Sequence, residues 1–208
     1  MSFKKECLRV YLVADSCQPE LLEKTEAALK GGVTLVQLRM KEASGREFYE
    51  EALKMKKLCN VYGVPFVIND RIDIALAVGA DGVHIGQSDL PASVARALLG
   101  DGKIIGVTAK NSAEILEAAK SGADYVGAGA FTFTATKTDA EMMTLEEFKG
   151  LSEMSPLPVV GIGGIAPQTA GQVIEAGAAG VAVSSAILGH SNPEVGARNF
   201  AEVLKLSQ

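Results

Sequence analysis

The chain has no cluster of Lys and Arg long enough to form an electrostatic footprint for nucleic acid, and its net charge is −5. Any anionic ligand would therefore have to be held by a few locally placed charges. No apolar stretch approaches membrane-spanning length, and Met1 to Glu6 lacks the apolar core of a signal peptide. No membrane partner and a cytoplasmic location are the resulting expectations. Cysteine is scarce: Cys7, Cys17 and Cys59 form no Cys-x-x-Cys pair, and an odd number closes no disulfide framework, so reduced thiols are expected. His84 and His190 find no further ligands at zinc spacing. Neither a Gly-x-Ser-x-Gly elbow nor a Cys/His pairing offers an acyl-transfer nucleophile. No linker, low-complexity run or change of composition divides the chain. Residues 1–208 are accordingly expected to form one domain, whose 48% hydrophobic content suffices for a substantial core.

What is present is a recurring phrase. Gly79-Ala80-Asp81-Gly82-Val83 returns as Gly122-Ala123-Asp124-Tyr125-Val126 and as Gly177-Ala178-Ala179-Gly180-Val181, with Gly31-Gly32-Val33 a weaker copy. Each copy follows a helical pattern and precedes a β-branched run, so its glycine reads as a left-handed helix cap at a helix-to-strand joint. Four more short apolar runs, Val10 to Ala14, Pro65 to Asn69, Ile104 to Thr108 and Pro158 to Ile162, fall between these joints. The total is eight short strands without alternation, the pattern of parallel strands covered on both faces. Ser44…Glu47, Asn111…Glu114 and Thr144…Glu147 match capping boxes at helix starts, and Phe48, Ala52, Met55 and Cys59 form one apolar helix stripe. The predicted architecture is a (β/α)8 TIM barrel.

In such a barrel the active face lies at the C-terminal ends of the strands, and polar residues accumulate at those positions. Gln37, Arg39 and Lys41 alternate along the second strand, so all three can face inward while Leu38 and Met40 pack outward. Two inward cations call for an anion; the alternative is pairing with carboxylates inside the barrel mouth. Asp70 and Asp89 follow the third and fourth strands and suit Mg²⁺, which takes one or two carboxylates and completes its shell with water and phosphate oxygens. The alternative for each is a helix N-cap. Thr132, Thr134, Thr136, Lys137 and Thr138 crowd a long connection after the sixth strand, either a substrate-covering loop or a solvated one. Gly161-Ile162-Gly163-Gly164 and Ser184-Ser185 end the last two strands, where barrels of this class often bind phosphate through backbone N–H groups. His84 reads as a hydrogen-bonded core or mouth residue, and neither histidine is given a catalytic role.

Taken together, these blocks resemble the thiamine-phosphate synthase family: Val36-Gln37-Leu38-Arg39 with Lys41, Ile68-Asn69-Asp70-Arg71, Gly82 to Gln87 with Asp89, Ile105 to Thr108, Thr134-Ala135-Thr136-Lys137 and Gly161 to Ile165. The resemblance runs from about Val10 to Ile187. It implies a transferase that joins a hydroxymethylpyrimidine diphosphate to a thiazole phosphate, or its carboxylated form, and releases diphosphate, with Mg²⁺ as cofactor. By the same resemblance Gln37, Leu38, Arg39, Met40, Lys41, Asn69, Thr108 and Lys137 belong to the pyrimidine diphosphate site, with Arg39, Lys41 and Lys137 acting on the leaving group. Asp70 and Asp89 become the metal ligands, and Thr134, Ala135, Thr136, Gly164, Ser184 and Ser185 the thiazole phosphate site. Its partners would be two phosphorylated small molecules, and a homo-oligomer is compatible with all of this.

Three positions depart from the family pattern. Thr108 replaces a serine but keeps the hydroxyl. Ala130 and Phe133 stand where prolines are usual, which should loosen the loop. Ser184 replaces an aliphatic residue. Two rival readings follow: a thiazole tautomerase, which would need a histidine where Lys110 stands, and a non-catalytic barrel that binds thiamine phosphates. Retention of Asp70 and Asp89 weighs against both.

Overall fold

β-branched and leucine-rich runs form eight strands in a computed structural model of the chain, which describes residues 3–15, 20–131 and 142–206. The strands are β1 Val10–Asp15, β2 Leu35–Arg39, β3 Phe66–Asn69, β4 Gly82–Ile85, β5 Ile104–Thr108, β6 Tyr125–Ala128, β7 Val159–Ile162 and β8 Gly180–Val183. They pair in parallel in chain order, and β8 pairs back onto β1 through Val10↔Val181 to Leu12↔Val183, so the sheet closes into a barrel. The expected (β/α)8 architecture is therefore present, with strand limits within a residue of those expected from the apolar runs. The helices are α1 Leu21–Lys30, α2 Gly45–Tyr62, α3 Ile72–Val78, α4 Ala92–Leu99, α5 Ser112–Lys120, α6 Leu145–Met154, α7 Pro167–Glu175, α8 Ser185–Leu188 and α9 Pro193–Leu206. None of the described helices is long and apolar enough to cross a membrane.

Strand alternation divides the interior into two layers. Val10, Leu12, Val36, Leu38, Phe66, Ile68, Val83 and Ile105 point outward and meet the helices, including the buried Phe48, Ala52, Met55 and Cys59 stripe of α2. Tyr11, Leu35, Val67, Ile104, Tyr125, Val160 and Ala182 point inward and fill the lower barrel, with Phe3 stacked on Tyr125 at a ring separation of 6.2 Å. Cys59 and Cys7 carry free thiols, raised by burial to about 12 and about 11; Cys17 lies outside the described residues.

The joints behave as their sequence suggests. Gly32, Gly79, Gly122 and Gly177 all have positive φ, which turns each helix back toward the sheet. Ser44 and Thr144 form complete capping boxes with Glu47 and Glu147. Asn111 is a correction: its side chain caps Glu114 N–H, but the Glu114 carboxylate goes to Lys110 N–H at 2.7 Å and to Asn111 Nδ2 at 2.8 Å. The reciprocal half of the box is thus diverted to the preceding residue.

The aspartates of the repeated phrase have a further role at the N-terminal face. Asp81 Oδ2 accepts Phe66 N–H at 2.8 Å and Lys56 Nζ at 2.7 Å. Asp124 Oδ2 accepts Ile105 N–H and Arg96 NH2, both at 2.8 Å. Each carboxylate fastens its own strand to the preceding one and ties in a helix.

Candidate active site

The C-terminal ends of the strands surround a cavity of about 840 Å³. Its lining includes Gln37, Arg39, Lys41, Asn69, Asp70, Asp89, Thr108, Gly164, Ser184 and Ser185, so ten of the residues singled out from sequence meet at one rim. Leu38 is fully buried and Met40 partly buried against the outer core; neither side chain is part of this lining. Thr134, Ala135, Thr136 and Lys137, with Thr132, Phe133 and Thr138, lie outside the described residues.

β2 delivers Gln37 and Arg39 inward, and Lys41 follows just beyond the strand. Arg39 pairs with Asp15, the last residue of β1, across their register match. Carboxylate pairing inside the mouth is therefore present for Arg39 through Nη1, while the side chain also lines the cavity.

Asp70 adopts a left-handed backbone, φ 63°, while its N–H donates to the His84 carbonyl at 2.8 Å. Such a conformation costs a non-glycine residue on the order of 1 kcal/mol and persists where its surroundings fix it. Asp89 Oδ2 accepts Gly86 N–H at 2.7 Å, which folds the loop after β4 back on itself. Neither aspartate caps a helix: the N-cap residues of α3 and α4 are Arg71 and Pro91, without side-chain caps. The two carboxyl groups instead face each other. Burial, then a hydrogen bond and repulsion from Asp89, raise Asp70 to about 6, against a smaller lowering influence of Lys41. Among the described residues no group of three or more His, Cys, Asp or Glu side chains assembles into a metal cage. Two crowded carboxylates open to a cavity suit Mg²⁺, which keeps waters and phosphate oxygens in its shell.

Opposite these, Gly163 and Gly164 follow β7 with φ of 84° and 67°, a turn that only glycine adopts without strain. Ser184 and Ser185 follow β8 on the same side of the cavity. The rim thus has an acidic pair on one side, a glycine and serine rim on the other, and Arg39 and Lys41 nearby.

A family model described as thiamine monophosphate synthase matches residues 10–187. The chain belongs to the thiamine monophosphate synthase family. A thiamine-phosphate synthase of Clostridium acetobutylicum is 51% identical over 200 residues, covering 95% of each chain. One from Alkaliphilus oremlandii is 49% identical, covering 95% of this chain and 94% of its own. Among solved structures, a thiamine phosphate pyrophosphorylase from Pyrococcus furiosus superposes with a TM-score of 0.88 at 36% identity, over 98% of both chains.

Within this member of the thiamine monophosphate synthase family, Lys110 is exposed and absent from the mouth lining. Sequence reasoning missed Val13, Asp15, Ser88, Ala182, Val183 and Ala186 as wall residues. The signal for Asp15 was available, an acidic residue ending an apolar strand two positions after inward Val13. Its partner Arg39 becomes evident only when β1 and β2 are in register. His84 is buried and hydrogen-bonded, as expected, and burial lowers it to about 4.

Proposed function

We propose that this chain forms thiamine phosphate by joining a hydroxymethylpyrimidine diphosphate to a thiazole phosphate, releasing diphosphate. The observation that carries the reading is the convergence of the Asp70–Asp89 pair, Arg39, Lys41 and the Gly164–Ser185 rim on one cavity. Two phosphorylated substrates call for two anion sites, and the rim offers one on each side.

In this reading Asp70 and Asp89 hold Mg²⁺, which when bound would neutralise charge on the diphosphate. Arg39 and Lys41, joined by Lys137 from the loop, bind the same diphosphate and stabilise the charge that develops as it leaves. Asn69 and Thr108 hydrogen-bond the pyrimidine substrate, and Gln37 fixes its ring. Gly164, Ser184 and Ser185, with Thr134 to Thr136, hold the thiazole phosphate through N–H and hydroxyl donors. Leu38 and Met40 contribute main chain only. Held this way, the two rings face each other in line, and the methylene–oxygen bond breaks before the thiazole nitrogen attacks, because the aminopyrimidine stabilises the cation. No protein nucleophile is required. Electron-withdrawing groups on the pyrimidine should slow single-turnover chemistry; an unchanged rate refutes that order of events.

The direct test incubates the protein with both substrates and Mg²⁺ and measures thiamine phosphate and diphosphate together, with each substrate omitted in turn. Equal, Mg²⁺-dependent appearance of both products is expected. Diphosphate release without thiamine phosphate means hydrolysis and rejects the reading. Asp70→Ala should abolish turnover and leave thiamine phosphate binding intact, whereas a non-catalytic binder would lack turnover in the wild type.

A further inference from the structure

Beneath the mouth runs a chain of side-chain hydrogen bonds whose middle members, Tyr11, Tyr125 and His84, the proposed reaction leaves unused. Gln37 Nε2 donates to the Tyr11 hydroxyl. The Tyr11 and Tyr125 hydroxyls are 2.8 Å apart, the Tyr125 hydroxyl is 3.0 Å from His84 Nδ1, and His84 Nε2 is 2.9 Å from Thr108 Oγ1. The chain passes from β2 to β1, across the interior to β6, then to β4 and β5. Gln37, His84 and Thr108 line the mouth, His84 from a buried position, while Tyr11 and Tyr125 lie buried beneath it. Two glycines make room for it. A methyl group on Gly106 would overlap the Tyr125 ring, and one on Gly127 would approach His84 Cε1 to 3.3 Å.

Counting protons gives the chain a direction. A phenol has one proton to donate, and a neutral imidazole has one N–H and one acceptor nitrogen. Tyr11, which accepts from Gln37, donates to Tyr125, and Tyr125 donates to His84 Nδ1. With Nδ1 accepting, the single proton of a neutral imidazole sits on Nε2 and is donated to Thr108. The Thr108 oxygen is then occupied as an acceptor, and its own proton remains for the mouth.

We infer that this chain is a one-way relay of hydrogen-bond polarity: anchored by the Gln37 amide, it holds His84 as the Nε2–H tautomer and makes the Thr108 hydroxyl a donor to an anionic group of the substrate. The inference rests on reading the mouth as a diphosphate site. Tyr11 and Tyr125 act as positioning residues beneath the cavity, and His84, whose two ring nitrogens are both engaged, positions Thr108 from its wall. Turning the Gln37 amide over reverses every bond: His84 is then protonated on Nδ1, and Thr108 donates inward and presents a lone pair to the anion. That arrangement would repel the anion.

The experiment is ¹⁵N-histidine NMR of the full chain at neutral pH, with His190→Gln removing the other of the two histidines. A protonated Nε2 and an unprotonated Nδ1 are expected. The opposite tautomer, or an imidazolium, overturns the inference. This readout needs no turnover, so it stands even if the reaction assigned to the site is wrong. Kinetics then test the coupling. Thr108→Val should lower kcat/KM for the diphosphate substrate about five-fold, the size of one hydrogen bond, and Thr108→Ser, which restores the hydroxyl, should recover most of that loss. Tyr125→Phe should give a similar loss with a mixed His84 tautomer, and adding Thr108→Val to it should cost nothing further. Multiplying losses in the double variant would show Tyr125 acting independently of Thr108 and sink the relay. If Tyr125→Phe fails to fold, Tyr11→Phe breaks the chain one bond earlier and carries the same expectation.

Discussion

The two faces of the barrel use aspartate in opposite ways. At the N-terminal face Asp81 and Asp124 each accept a strand N–H and a basic side chain, so their charge is matched and their geometry fixed. At the C-terminal face Asp70 and Asp89 are pressed together, and burial and mutual repulsion raise Asp70 to about 6. A satisfied carboxylate contributes to stability, whereas a crowded one is, in the function proposed above, available to a cation. The contrast predicts that mutations at the lower face act on folding and mutations at the rim act on chemistry.

The largest expected effect is at the rim. Asp70→Asn or Asp89→Asn should lower kcat on the order of 10²-fold or more, as loss of a preorganised electrostatic group does, with Tm at pH 7 not reduced. The same pair gives a pH signature. Because Asp70 is raised when folded, it takes up a proton on folding between its ordinary 3.8 and about 6. That contribution to stability is present at the acid end and lost as pH rises through 6. Apparent Mg²⁺ affinity, measured by titrating activity, should correspondingly weaken below about pH 6.

Next in size is His84, which lies between the faces. Its folded value of about 4 is below the ordinary 6.5, so the unfolded chain takes up a proton first as pH falls. Stability is complete above pH 6.5 and should be lost progressively toward pH 4, by about 3 kcal/mol. Denaturant titrations from pH 7 to 4 read this directly, and a His84→Gln variant should lack that part of the acid loss. Asp124→Ala should cost about 1–3 kcal/mol by leaving Ile105 N–H and Arg96 without their acceptor, a fall in Tm of roughly 5 °C, with kcat unchanged. A large loss of kcat there would break the division between the faces. The smallest effect is expected at Ser184→Ala, about two-fold in KM for the thiazole phosphate if its hydroxyl adds one weak hydrogen bond.

The strands, joints and rim residues were legible because short apolar runs, glycine joints and strand-end polar groups depend on local pattern. Ile104–Thr108 was delimited to the residue. Gln37, Asn69, Asp70, Asp89 and Thr108 were legible for a further reason, that in a parallel barrel all strand ends share one rim. What escaped depends on contacts across the barrel. Tyr11 and Tyr125 look like ordinary apolar strand residues until closure brings their hydroxyls to 2.8 Å. Gly106 gives no local reason to be glycine, since it lies in regular strand and is required by a ring on the neighbouring strand. The diverted Glu114 carboxylate escaped for a different reason: two nearby N–H groups compete for it, and sequence does not rank them.

The clamps formed by Asp81 and Asp124 have one more consequence. They bind main-chain N–H groups and helix side chains at the end of the barrel remote from the rim loops. Loops at the opposite end can therefore be lengthened, shortened or given new side chains without loosening the seams between neighbouring strands. A scaffold fastened in this way is open to rewriting for other ligands while its foundations stay the same.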